Sequence, residues 1–283
     1  MADIEMDDAY TLPQSEDEDI CTSILARFSN STREDHRHLC AAIGAMAQEL
    51  KDENLPSTPR SEFLSELLAC VLRSSSLTVG AALSGLKCIS LLLIIRCRVN
   101  WYDVSSVYGF LLSFITDSRT KVRRQSHLCL RDVLRSLQGT PLLAPASEGV
   151  TNLFERFLLL AGGSNADAGE GPKGAQEVLY VSDALKECLF HMSIKYKTAV
   201  LKHYKTLLEL QQPLVTKRIT DSLNILCLNP STNVSPEVLL DLLCSLALSV
   251  STNETSVDGM AVTARLLGNG MAKVYSLNRH MRS

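Results

Sequence analysis

Apolar residues recur along the chain with the period of an α-helix, and the amphipathic segments that they form come in pairs. In the segment that begins at Trp101, for example, Val104, Leu111 and Ile115 lie on one predicted helix face. The pairs restart at intervals of roughly forty to fifty residues. The predicted pairs are 15–29 with 33–52, 61–76 with 79–97, 101–115 with 118–138, 147–160 with 175–192, 195–210 with 213–228, and 236–250 with 257–279. No segment alternates for long with the period of two that is typical of a strand, so we expect an all-α protein.

One turn and the helix after it have the pattern of a HEAT repeat. Asp117 lies in the predicted turn, Val122 and Arg123 follow on the second helix of the pair, and an apolar stripe continues from Cys129 to Leu137. In such pairs an arginine often bonds to the preceding turn, so Asp117, Val122 and Arg123 are predicted to be structural. Pairs with this period stack into an α-solenoid and bury their apolar faces against their neighbours. The predicted fold is an armadillo-like superhelix of antiparallel helix pairs, which offers surface rather than a catalytic pocket.

Two segments depart from the helical pattern. Residues 1 to 19 contain eight acidic residues and no lysine or arginine, and we expect 1–14 to be a disordered acidic tail before a repeat domain at 15–283. An alternative is that the tail competes with nucleic acid for basic helices. Residues 161–174 are rich in glycine and are predicted to be a flexible insertion between the two helices of one pair.

The cysteines indicate no disulfide framework. Nine cysteines are present without any C-x-x-C pair, and most fall on apolar helix faces, where a free thiol behaves as a small hydrophobe. The odd number and the lack of a signal-peptide pattern favour a reducing compartment. The most apolar run, from Ile89 to Ile95, is much shorter than the ~20 residues of a membrane span, so it is predicted to be a buried helix and no membrane partner is expected.

Patterns of catalysis and ligand binding are weak. The glycine-rich segment ends in Gly171-Pro-Lys-Gly174 and lacks the Gly-Lys-Ser/Thr of a phosphate loop. His36 and His38 are two residues apart, whereas metal ligands on one helix are spaced by four. No cysteine or serine has the surroundings of a nucleophile. We therefore expect no enzymatic activity, cofactor, metal or small-molecule substrate.

Basic side chains form the strongest functional signal. Arg124, His127, Arg131 and Arg135 are spaced to form one exposed stripe opposite the apolar face of their helix. A second group, with Lys202 and Lys205, follows further along the chain. Such stripes can follow a phosphate backbone, so Arg124, Arg131, Arg135, Lys202 and Lys205 are the predicted RNA-binding residues. The alternative is that these are ordinary solvated helix faces, and the sequence shows no aromatic platform for stacking bases.

Three stretches of sequence resemble a particular family. They are Val122-Arg-Arg-Gln-Ser-His-Leu-Cys-Leu-Arg-Asp-Val133, Gly139-Thr-Pro-Leu-Leu-Ala-Pro-Ala-Ser147 and Lys173-Gly-Ala-Gln-Glu-Val-Leu-Tyr180. They are similar to the N-terminal HEAT-repeat region of the ribosomal-RNA-processing protein twelve family, especially its plant form. The resemblance covers nearly the whole chain and is more specific than the general HEAT pattern.

The resemblance implies a non-catalytic scaffold in ribosome biogenesis. Family members act in the nucleus and nucleolus, where they help to mature and export pre-ribosomal particles, chiefly of the small subunit. The implied partners are pre-ribosomal RNA, small-subunit assembly factors and nuclear transport factors. Family members are several times longer and carry a basic C-terminal region, so this chain would correspond to their N-terminal part, with a shortened junction at Pro59-Arg60-Ser61. The alternative function is a karyopherin-like or other HEAT adaptor that binds only proteins.

Overall fold

The computed structural model describes residues 78–95, 101–162, 174–253 and 257–282, and these residues form helices without any strand. The helices are α1 (Val79–Ile95), α2 (Trp101–Ser113), α3 (Thr120–Ser136), α4 (Leu143–Gly162), α5 (Ala175–Cys188), α6 (Ile194–Glu209), α7 (Pro213–Leu228), α8 (Pro236–Asn253) and α9 (Val257–Arg282). A short 3₁₀ helix, Leu189–His191, follows α5. The prediction of an all-α solenoid is confirmed.

The chain divides into two compact units, residues 1–91 and 92–283. The part of α1 that belongs to the first unit buries apolar side chains that include Leu86, Cys88 and Ile89. No helix among the described residues is long and apolar enough to cross a membrane. The predicted tail at 1–14, the first helix pair, the first helix of the second pair and the junction at 59–61 lie outside the described residues.

The second unit consists of two layers of helices. Each helix packs against the helix two positions further along the chain, so α2, α4, α6 and α8 form layer A and α3, α5, α7 and α9 form layer B. Successive helices join the layers, most extensively α8 with α9 and α4 with α5. This arrangement is that of a solenoid, because each pair buries its apolar face between the preceding and the following pair.

Large aromatic side chains fill the space between the layers. Tyr108 of α2 is buried and donates from its hydroxyl to the carbonyl oxygen of Ala146 at 2.8 Å. Tyr204 of α6 is buried edge-on to Phe154 of α4, with ring centroids 6.0 Å apart, and its hydroxyl donates to Ser222 of α7. Each hydroxyl therefore has a partner, as a buried tyrosine requires.

Both ends of α4 differ from the predicted boundaries. Helix α4 begins at Leu143 rather than near 147, because Pro145 is tolerated within the first turn, where no helical hydrogen bond from its nitrogen is needed. The same helix continues to Gly162, so the first two residues of the predicted 161–174 insertion are helical. Residues 163–173 lie outside the described ranges, and Gly174 precedes α5 with a φ of 95°.

Candidate nucleic-acid interface

Helix α3 places the three predicted arginines on the outer side of layer B, but it does not leave all three free. Arg124 and Arg135 are exposed. Arg131 is only partly exposed, and its guanidinium lies 2.9 Å from Asp132 and 3.8 Å from Glu187 of α5. Two of the three charges are therefore available to a ligand without breaking an ion pair.

His127 does not belong to the exposed stripe, and the prediction for this residue is wrong. Its side chain is buried, and its Nε2 lies 3.0 Å from the carbonyl oxygen of Ile115. The ring therefore carries its proton on Nε2 and donates it to that carbonyl. Burial, as the largest cause, lowers the pKa of His127. Its role is to hold the turn between α2 and α3.

The two predicted lysines lie on α6, in layer A, and so on the opposite side of the solenoid from the α3 arginines. Lys202 is exposed. Lys205 donates to Asp241 of α8 at 2.6 Å, and this hydrogen bond is the largest cause that raises the pKa of its ammonium group. The structure thus does not bring the two predicted basic groups together into one surface.

The turn between α2 and α3 is held by side chains of α3. Arg123 donates from Nη1 to the carbonyl oxygen of Asp117 at 2.6 Å, and its guanidinium lies 3.7 Å from the ring centroid of Tyr180 on α5. The Asp117 carboxylate accepts hydrogen bonds from the backbone and side chain of Arg119. Val122 is fully buried. Arg123 therefore satisfies a carbonyl beyond the end of α2 and also contacts the next repeat.

A different group of basic side chains, which begins with His191, lies at the turns that lead from layer B to layer A, and the sequence did not single it out. His191 ends the 3₁₀ helix between α5 and α6. Burial, and then the nearby Arg135, Arg131 and Lys197, lower its pKa. Gln138, just after α3, donates to the carbonyl oxygens of both Leu134 and His191. This side chain fixes the end of α3 against the next turn along the edge of the solenoid.

Two buried lysines continue this edge. Lys197 of α6 is 4% exposed, donates to the carbonyl oxygen of Asn233 at 3.4 Å and lies 5.6 Å from the ring of Phe190. Lys273 of α9 is 8% exposed and donates to the carbonyl oxygens of Asn229 and Pro230 at 2.9 and 2.7 Å. Burial first, and then the neighbouring charge of Lys273, lower the pKa of Lys197 to about 8.

The described residues contain no cluster of histidine, cysteine and carboxylate side chains that could hold a metal ion. Burial raises the pKa of the Cys227 thiol to about 11. A buried thiol of this kind is a poor nucleophile, because the reactive form is the thiolate.

The chain matches the family model described as RRP12-like, N-terminal HEAT repeats, over residues 6–64 and 60–234. The two matched segments overlap at residues 60–64, which include Arg60 and Ser61 of the junction that was predicted to be shortened. A search of curated proteins gave no match. Among solved structures, an engineered protein of the Northeast Structural Genomics Consortium aligns with 10% identity and a TM-score of 0.45, over 92% of this chain and 98% of that one. A similarity at this level carries no argument about function.

Proposed function

The chain belongs to the RRP12-like family, whose N-terminal HEAT repeats it contains, and from this we propose that it acts as a non-catalytic scaffold in ribosome biogenesis. In this role it binds pre-ribosomal particles during rRNA processing, small-subunit maturation and nuclear export. Its partners are pre-ribosomal RNA, small-subunit assembly factors and nuclear transport factors, and it works in the nucleus and nucleolus. The observation that carries the proposal is the family match, which spans most of the chain.

The architecture supports this role. Stacked helix pairs present their outer faces as long continuous surfaces, and solenoids of this type use such surfaces to bind macromolecules. Arg124 and Arg135 on layer B and Lys202 on layer A are exposed. Cations of this kind contact phosphates without reading sequence, and their contribution weakens as salt rises.

A protein adaptor that does not bind RNA is the second candidate, and a specific observation favours it. Many charges join successive repeats instead of facing solvent alone. Lys205 pairs with Asp241, Arg218 with Asp183 and Lys186 with Asp221. These pairs reduce the number of cations that remain available to phosphate.

Affinity purification of the tagged full chain, with and without ribonuclease, separates the two candidates. The scaffold proposal predicts that pre-ribosomal RNA and small-subunit assembly factors are enriched over a tag-only control. It also predicts that part of the protein set is lost after ribonuclease treatment. Recovery of the same proteins in both samples, with no enriched RNA, would favour the adaptor.

A triple variant then tests the predicted arginines. Replacing Arg124, Arg131 and Arg135 by glutamine should preserve helicity and lower RNA recovery, with Arg156→Gln as a control on the opposite layer. Since Arg131 is already paired with Asp132 and Glu187, most of the loss should come from the other two positions. Equal RNA recovery by the triple variant and the control would show that this stripe is only a solvated surface.

A further inference from the structure

Basic side chains follow one edge of the solenoid across three successive repeats. Arg135 lies at the end of α3, His191 lies in the turn after α5, and Lys197 lies in the first turn of the layer A helix that follows. Lys273 of α9 then approaches the turn after α7. Contacts join neighbours in this row: Gln138, three residues after Arg135, donates to the carbonyl oxygen of His191, and Lys197 lies 5.6 Å from the ring of Phe190 beside His191. Lys197 and Lys273 both donate to carbonyl oxygens of residues 229–233. We call this row of four side chains the turn edge.

The two buried lysines have donors that the fold does not use. An ammonium group has three N–H donors. Lys273 uses two of them on carbonyl oxygens, and Lys197 uses one on a long hydrogen bond. The ion pairs of the described residues include none between these lysines and a carboxylate. Buried charges are normally paired, so the turn edge holds positive charge that an anion would neutralise.

Two aromatic rings lie in the same turn. Phe190 and His191 are adjacent, with ring centroids 5.0 Å apart and planes inclined at 74°. Both side chains are partly exposed. Phe190 also lies over the Lys197 ammonium, so the ring and the cation occupy one place on the surface. A ring beside cations is the arrangement by which proteins hold an unpaired base and its phosphates together.

We propose that the turn edge binds single-stranded RNA, with phosphates held by Arg135 in the field of Lys197 and Lys273 and with one unpaired base stacked at Phe190 and His191. The proposal rests on the proposed function and specifies the form of RNA that this part of the scaffold takes. Gln138 contributes as a positioning residue, because it fixes the turn that carries the rings relative to the helix that carries Arg135.

The aromatic rings favour single-stranded RNA over the other polyanions that would satisfy the cations. An acidic peptide would gain from the charges but has no base to stack. Double-stranded RNA presents its phosphates, but its bases are paired and stacked on one another, so their faces cannot reach Phe190. A single strand satisfies both features at once.

Binding of fluorescent oligoribonucleotides to the purified full chain tests this site. The probes are an unstructured single strand and a duplex that contains the same strand. Phe190→Leu keeps an apolar side chain but removes the ring, and it should weaken single-strand binding roughly tenfold while changing duplex binding little. Phe190→Tyr, which keeps the ring, should retain the affinity. Arg135→Gln should weaken both probes and reduce the slope of log affinity against log salt by about 1. Arg156→Gln, an exposed substitution in layer A, should change neither.

The outcomes separate this site from the broader proposal. If the wild-type chain binds RNA and the Phe190→Leu and Arg135→Gln variants bind equally well, the site is elsewhere and the scaffold proposal stands. Equal affinity of the wild-type chain for duplex and single strand would overturn the stacked base. If the wild-type chain binds neither probe, the result refutes both the proposed site and RNA binding by this region. Circular dichroism on every variant shows whether the helices are intact, and the Phe190→Tyr comparison separates loss of the ring from loss of packing.

Discussion

Lys197 and Lys273 lie on helices of different layers, yet both direct their ammonium groups at the carbonyl oxygens of one turn, residues 229–233. The turn follows the end of α7 at Leu228, and the carbonyl of Asn229 also accepts from the backbone N–H of Thr232. The lysines therefore donate to carbonyls of the turn itself and tie it to α6 and α9. They do so at a cost in stability, because two buried positive charges also repel each other.

This relationship predicts that Lys197→Met increases stability at neutral pH. The ordinary pKa of lysine is 10.5, and that of Lys197 is lowered to about 8. Below pH 8 the folded chain bears the full cost of the buried charge, which corresponds to roughly 3 kcal/mol at most. Between pH 8 and 10.5 the unfolded chain holds the proton while the folded chain releases it, so the stability of the wild-type chain should rise with pH. Urea denaturation across this range measures both effects.

The control for that substitution is Lys202→Met on the exposed face of the same helix, which should change the urea midpoint little. A Lys197→Met variant that is less stable than the wild type would show that the bond to Asn233 outweighs the cost of the charge. If the turn edge binds RNA, the same variant should bind it more weakly even though it is more stable.

The buried His127 predicts that the fold loses stability in mild acid. Burial lowers the pKa of His127 below its ordinary 6.5, so the ring is neutral in both states at higher pH and adds no pH dependence there. Below pH 6.5 the unfolded chain takes up the proton first, and stability should fall until the lowered folded pKa is passed. His191 has a lowered pKa as well and acts in the same direction. Thermal melts between pH 7.5 and 5 would measure the combined loss of stability from both histidines.

His127→Gln isolates the contribution of one ring. Its side-chain amide can still donate to the carbonyl of Ile115 but does not titrate. The loss of stability between pH 7.5 and 5 should be smaller in this variant than in the wild type, and the remainder should come in part from His191. An unchanged acid dependence would mean that His127 does not control this transition.

Arg123 and Arg124 are adjacent, but only truncation of Arg123 should lower the stability. Arg123→Ala removes the charged hydrogen bond to the Asp117 carbonyl and the contact with Tyr180, so it should lower the free energy of unfolding by about 1.5–3 kcal/mol. Arg124→Ala removes an exposed side chain and should be within about 0.5 kcal/mol of the wild type. The difference between the urea midpoints of the two variants measures how much the turn contact of Arg123 contributes to stability. Equal midpoints would show that the turn contact adds nothing to stability.

Two glycines of α9 provide a similar pair. A Cβ at Gly270 would lie 2.5 Å from Cδ1 of Leu243, a buried side chain of α8, whereas a Cβ at Gly268 would have nothing within 4 Å. Gly268→Ala should therefore stabilise by roughly 0.5–1 kcal/mol through helix propensity. Gly270→Ala should lose that gain to overpacking and destabilise by about 1–3 kcal/mol. The melting temperatures of the two variants measure both effects. An equal rise in melting temperature for both variants would show that α8 and α9 are not packed so closely at Gly270.

The sequence predicted the helices and their pairing well, because apolar spacing such as that of Val104, Leu111 and Ile115 directly determines which helix face is buried. It could not predict which charged side chains form ion pairs with other helices. The partner of Lys205 lies 36 residues away at Asp241, and no helix-face pattern identifies such a pair. His127 follows Arg124 by three residues, a step that turns the side chain away from the exposed face by about a sixth of a turn, towards the carbonyl of Ile115.

The turn edge had a sequence signal that could have been recognised. Lys197 falls on the same helix face as the apolar residues Val200, Leu201 and Tyr204, where a lysine has to be buried. Lys273 similarly follows Leu266 and the closely packed Gly270 on one face of α9. What the sequence could not show is that both lysines reach the same turn, because that depends on how α6 and α9 stack around α7.

Sedimentation of the tagged chain from nuclear extract through a sucrose gradient tests the central proposal most directly. A ribosome-biogenesis scaffold should sediment with particles that contain small-subunit precursor RNA and should shift to the light fractions after ribonuclease treatment. A chain that stays in the light fractions before treatment, or that sediments only with complexes free of ribosomal precursor RNA, would contradict the proposed function.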